Sequence, residues 1–141
     1  MKRWLMAAIV AILSLTAFSM ESNATTWKVA NQVTVAWDAV TTLTDGTSIP
    51  AGSTIQYQVY IRTDPTGNSV ASGNPITVLQ SLVTFAAEGF YDIGIKALRV
   101  VGGQVVSESV IAWSNDPLVA QGGNDFGVQY YLSPGGIRNM R

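Results

Sequence analysis

The sequence contains neither cysteine nor histidine. Those two absences exclude disulfide staples, thiolate and imidazole metal sites, c-type haem attachment, cysteine nucleophiles and any mechanism that uses a histidine base. Charge is scarce too, at 12% of 141 residues with a formal net charge of −1. A chain so weakly charged carries no electrostatic footprint for nucleic acid. Hydrophobic residues make up 48% of it. A chain of this length holds one domain and can bury about two-thirds of its unfolded surface, so it can fold without cross-links.

What is present begins with a basic start, Met1-Lys2-Arg3, followed by an apolar run from Trp4 to Phe18 and polar residues from Ser19 to Asn23. That order predicts a secretory signal peptide over residues 1–24, cleaved after Ala24, with Ser22 and Ala24 as the small residues at the two positions that signal peptidase reads. The apolar run of 15 residues falls short of the roughly 20 that span a bilayer. Cleavage leaves 117 residues with six basic and eight acidic side chains, a net charge of −2. Such a product has little electrostatic steering towards DNA or anionic lipid. The expectation is a secreted or cell-surface protein with no nucleic-acid partner and no membrane segment after cleavage.

From Thr25 onward apolar residues recur at a spacing of two, rich in Val, Ile, Thr and Tyr. Val33, Val35 and Trp37 alternate with Thr34 and Ala36, and Tyr57, Val59 and Ile61 alternate with Gln58 and Tyr60. The longest such stretch, Tyr91-Ile93-Ile95-Ala97, ends at Gly102-Gly103, which predicts a hairpin into Gln104 to Trp113. Thr44 to Thr47, Asp64 to Asn68 and Ser72 to Pro75 are loops by their turn chemistry. Short half-buried strands between such turns predict an all-β, two-sheet antiparallel sandwich, because each apolar face needs another to cover it.

The segment Val33-Thr-Val-Ala-Trp37-Asp resembles the second strand of fibronectin type III domains, Gln56-Tyr57-Gln-Val59-Tyr60 their third, and Gly89-Phe-Tyr91-Asp-Ile93-Gly-Ile95 their sixth. The loop Thr44-Asp45-Gly46 and the stretch from Gly103 to Ser109 resemble the version found in secreted bacterial proteins. The resemblance covers roughly residues 27 to 117 and implies an immunoglobulin-like sandwich over residues 25–118. It departs from the family in a brief first strand near Trp27 to Val29 without a proline-rich lead, and in a segment from Ile76 to Phe85 without a leucine-glycine turn. It implies structural roles for Trp37 and for Tyr91, whose hydroxyl would bond backbone a few residues upstream as a tyrosine corner. Tyr57 joins them in the expected core through its place on the apolar face of its strand.

No catalytic constellation emerges. The carboxylates after the signal, Asp38, Asp45, Asp64, Glu88, Asp92, Glu108, Asp116 and Asp125, are scattered over strand ends and loops. Neither the paired carboxylates of a glycosidase nor the dense Asp/Asn loop of a calcium site stands out. The chain is therefore expected to be no enzyme and to carry no cofactor or metal.

Five aromatic residues remain for contact with a ligand or partner: Trp27, Trp113, Phe126, Tyr130 and Tyr131. Trp113 covering the sandwich edge and Trp27 packing under the first strand are the plainer readings of those two. Residues 119–141 read as a linker, Gln121 to Asp125, and a strand-like tail, Phe126 to Leu132. That tail either folds back as an extra edge strand or adds to another molecule's sheet. The expected function is a secreted, non-enzymatic binding or adhesion module for a protein or polysaccharide. The alternative is a structural subunit that self-associates through residues 126–132 into oligomers or filaments.

Overall fold

The computed structural model describes residues 25–64 and 67–135. The signal segment expected over residues 1–24 lies outside them. Among the described residues nine strands form two sheets: β1 (Thr26–Val29), β2 (Gln32–Ala36), β3 (Ser53–Thr63), β4 (Val70–Ala71), β5 (Gln80–Thr84), β6 (Gly89–Val101), β7 (Gln104–Glu108), β8 (Ala112–Trp113) and β9 (Phe126–Tyr130). A 3₁₀ turn, Gln121–Gly123, precedes β9. The regular structure of the described residues is thus almost entirely β, in two sheets that face one another across a core, as in a β-sandwich.

The spine of the large sheet is the pairing of β3 with β6, antiparallel from Ser53 opposite Val101 to Thr63 opposite Tyr91. Strand β4 lies outside β3. The opposite edge of β6 is shared by three strands in succession: β7 against Leu98–Val101, β8 against Gly94 and Ile95, and β9 against Gly89–Tyr91. The turn into β7 uses Gly102 and Gly103, both at positive φ, which a side chain would resist. Strands β2 and β5 form the second, two-stranded sheet. Val35, Val83 and Phe85 from the small-sheet side meet Val59, Tyr91, Ile93 and Val128 from the large sheet in the core.

Four expectations need correction. The boundary placed at residue 118 does not separate a sandwich from a tail, because β9 lies inside the large sheet with Val128 fully buried. The tail does fold back onto its own sheet, but not as an edge strand: β1 is the edge, and β9 sits between β1 and β6. The physical reason is length, since β7 and β8 are too short to cover the thirteen residues of β6 and leave its first turn of ladder without a neighbour. The sheet is also not wholly antiparallel, because β1 and β9 run parallel. The expected hairpin strand from Gln104 to Trp113 is interrupted at Ser109, whose hydroxyl accepts a hydrogen bond from the Ala97 N–H at 3.0 Å in place of a backbone carbonyl.

The aromatic residues expected in the core sit on the inner faces. Tyr57 is buried and accepts a hydrogen bond from the Val40 N–H through its hydroxyl at 2.9 Å, with the Trp37 ring 5.5 Å away. Tyr91 stacks on Phe85 at 4.7 Å and donates its hydroxyl proton to the Ala87 carbonyl at 2.7 Å, the geometry of a tyrosine corner. The Trp37 indole packs against the core while its buried Nε1 finds no acceptor among the described residues.

Candidate functional site

Side chains alternate across a strand, so the even residues of β6 face away from the core: Phe90, Asp92, Gly94 and Lys96. Their cross-strand neighbours complete the outer face of the large sheet. At its first end three rings touch. The Phe90 ring meets Trp27 edge-on at 4.7 Å and Tyr131 edge-on at 5.9 Å. Trp27 lies directly over Gly127, where any Cβ would collide with the indole. That close approach is the reason glycine suits an interior position of β9. The Glu88 carboxylate accepts a hydrogen bond from the Leu132 N–H and so fixes the chain that carries Tyr131 beside β6. Tyr131 is 50% exposed and Phe90 37%, which makes the group an accessible aromatic patch.

Further along the same face lies a polar cluster. Asp92 is fully buried. Its Oδ2 accepts from Arg62 Nε at 3.1 Å and from Asn115 Nδ2 at 2.9 Å, and Arg62 also donates to Asn115 Oδ1 at 3.2 Å. The guanidinium stacks over the Trp113 ring at 4.0 Å, and that ring in turn lies over Gly94. Asp92 Oδ1 has no hydrogen-bond partner. Burial raises the Asp92 pKa above the ordinary carboxylate value, opposed by the Arg62 hydrogen bond and reinforced by nearby Asp64. The cluster therefore ties the turn after β8 to β3 and β6.

The five residues singled out for contact are divided by this arrangement. Trp27 and Tyr131 belong to the exposed patch. Trp113 shares the outer face but lies under Arg62, and Phe126 and Tyr130 turn inward against the core. Phe126 also carries the Lys28 ammonium over its ring at 4.6 Å. Phe90, which sequence reasoning did not single out for contact, is the centre of the patch. The signal that marks the face is the pair of strand glycines, Gly94 and Gly127, each facing outward beneath a tryptophan.

A second feature is a lateral cleft of about 690 Å³ along β2, floored by Val35, Trp37, Ile93 and Ile95 and closed on the far side by Phe126. Asp45 accepts from the Thr47 N–H at 2.9 Å and hydroxyl at 2.6 Å, which lowers its pKa, and buried Asp125 accepts from the Thr25 hydroxyl at 2.6 Å. Among the described residues no three His, Cys, Asp or Glu side chains gather as metal ligands, and no helix is long and apolar enough to cross a membrane. Comparison with protein-family models, curated proteins and solved structures finds no match to this chain.

Proposed function

We propose that the chain is an exported, non-enzymatic β-sandwich of the fibronectin type III kind, acting outside the cell or at its surface as a binding or adhesion module. The observation that carries this reading is the contiguous Trp27–Phe90–Tyr131 patch, whose partners on the outer face are neutral or already paired. Rigid rings on a flat sheet bury much area at small entropic cost, and sugar rings and protein side chains both pack on them. The test is retention of residues 25–141 on insoluble cellulose, chitin and peptidoglycan, compared with Phe90→Ala and Tyr131→Ala. Retention on one of them, weakened about tenfold or more by each truncation, supports a polysaccharide ligand. Retention that both variants keep moves the site off this patch, and no retention of the parent chain turns the assignment to a protein partner.

A second reading, self-association, is favoured by a different observation. Strands β2 (QVTVA) and β5 (QSLVT) contain no charge and no proline, and each has an outer edge unpaired among the described residues. Edges of that kind lack the usual guards against strand addition. The segment first considered for that role, residues 126–132, has its strand β9 paired on both sides within its own sheet. Light scattering of residues 25–141 across a concentration range tests this reading, and a constant monomer mass removes it.

A further inference from the structure

The edge of β2 that faces away from β5 carries backbone groups with no partner among the described residues. The Trp37 N–H donates to the Leu79 carbonyl at 3.1 Å, and the Asn31 carbonyl accepts from the Phe85 N–H at 2.9 Å. With the unbroken register from Gln32 opposite Thr84 to Ala36 opposite Gln80, the odd residues bond to β5 and the even ones face away. The N–H and C=O groups of Gln32, Thr34 and Ala36 therefore point to the open side, and all three residues are exposed. Beside them runs the lateral cleft of about 690 Å³, floored by Val35, Trp37, Ile93 and Ile95. Backbone donors and acceptors along one lip of an apolar cleft form the acceptor half of a strand-addition site.

The walls and the charge of the cleft decide what can enter it. Val119, Ala120, Gln121 and Asn124, from the segment between β8 and β9, border the same space, and the small sheet has two strands against seven in the large one. A second sandwich that brought its own edge to β2 would drive its other sheet into that border. One extended strand needs only about 4.8 Å beside β2. Strand β2 itself is uncharged, and the cleft lining carries one base, Lys28, and one acid, Asp38, with the Lys28 ammonium held over the Phe126 ring. A lining of no net charge leaves the desolvation of a charged occupant uncompensated, so the complementary occupant is uncharged. Antiparallel pairing is the more stable order. It sets Thr34 opposite a residue whose N–H and C=O face β2 and whose side chain points outward, and it turns the residues on either side of that one into the cleft. We infer that β2 accepts an uncharged, extended segment of a partner protein, antiparallel to it, whose alternate apolar side chains fill the cleft. This site lies on the inner face of β6, apart from the Trp27–Phe90–Tyr131 patch on the outer face, and it leaves β5 as the edge for self-association.

The test is an NMR titration of residues 25–141, which include every described strand, with the synthetic peptide acetyl-Ser-Val-Thr-Val-Thr-Val-Ser-amide. The Thr34 and Ala36 amides should shift saturably with a Kd of about 1 mM or tighter and exchange about tenfold or more slower in the complex. N-methylation of the two peptide threonines should weaken binding at least about tenfold more than N-methylation of the three valines, because the threonine N–H groups face β2 and the valine ones face away. Those peptides leave the protein unchanged. Thr34→Pro deletes one outward N–H, keeps the ladder to β5, and is a substitution that an edge strand tolerates. It should weaken binding about tenfold or more, while the Val35 and Ile93 amides, which report the fold, stay protected. Binding weaker than about 1 mM, equal losses from the two methylations, a larger loss from the valines, or unchanged binding to Thr34→Pro overturns the inference. Thr34 and Ala36 amides already protected in the monomer without peptide also overturn it, because the edge is then covered. Shifts confined to Phe90 and Tyr131 overturn this site and assign the peptide to the aromatic patch.

Discussion

The two sheets of this sandwich are held by different means. The large sheet is clad on both sides: Val59, Tyr91, Ile93 and Val128 face the core, while Trp27, Trp113, Arg62 and Asp92 cover its outer face. The small sheet has one ladder between β2 and β5 and one buried face, formed by Val35 and Val83 with adjoining Phe85. The first sheet keeps its place through many backbone pairs and an outer layer. The second depends on a few apolar side chains, so equal losses of volume should cost it more of its order.

Phe85→Ala is the strongest way to break that comparison. It removes a buried ring stacked on Tyr91, and a loss of about 3–5 kcal/mol is expected in urea unfolding. A cost below about 1 kcal/mol would show that the small sheet is anchored elsewhere. Gly94→Ala tests the outer layer. A Cβ there meets the Trp113 ring and the Ile111 side chain, and displacing the indole from beneath Arg62 should cost about 1–3 kcal/mol. Tryptophan fluorescence should report the shift, and an unchanged spectrum with unchanged stability would mean that the cladding adds nothing.

The smallest expected effect concerns pH. Because burial raises the Asp92 pKa in the folded chain, the folded state keeps a proton that the unfolded chain has released. Its contribution is fully present below the unfolded carboxylate pKa, about 3.9, and is lost as pH rises through the folded value. Denaturant midpoints should therefore fall across that window, and Asp92→Asn should flatten the slope. An equal slope in the variant would assign the pH dependence to another group.

Much of this architecture was legible in the residues. Alternation at Val33-Val35-Trp37, Tyr57-Val59-Ile61 and Tyr91-Ile93-Ile95 placed β2, β3 and β6, because a half-buried strand must repeat at a period of two. The position of β9 was not legible. Gln121 to Asp125 has the composition of a linker, and nothing local shows that β1 will choose β9, about a hundred residues away, as its parallel neighbour. The aromatic patch was legible only in part. Trp27 and Tyr131 stood out as aromatics, but grouping them needed Phe90, whose outward direction follows from register and not from composition. Asp92 shows the same limit, since an outward carboxylate reads as solvated until Arg62 and Asn115 are seen to enclose it.

The place of β9 also bears on when the molecule can become itself. It is the last described strand to emerge during synthesis, yet β1, one of the first, has no partner without it. Pairing across so wide a separation is slow, so β1 and the first end of β6 stay without this neighbour until residue 130 has been made. The order of the strands thus makes the edge of the large sheet the last part of the described fold that can close.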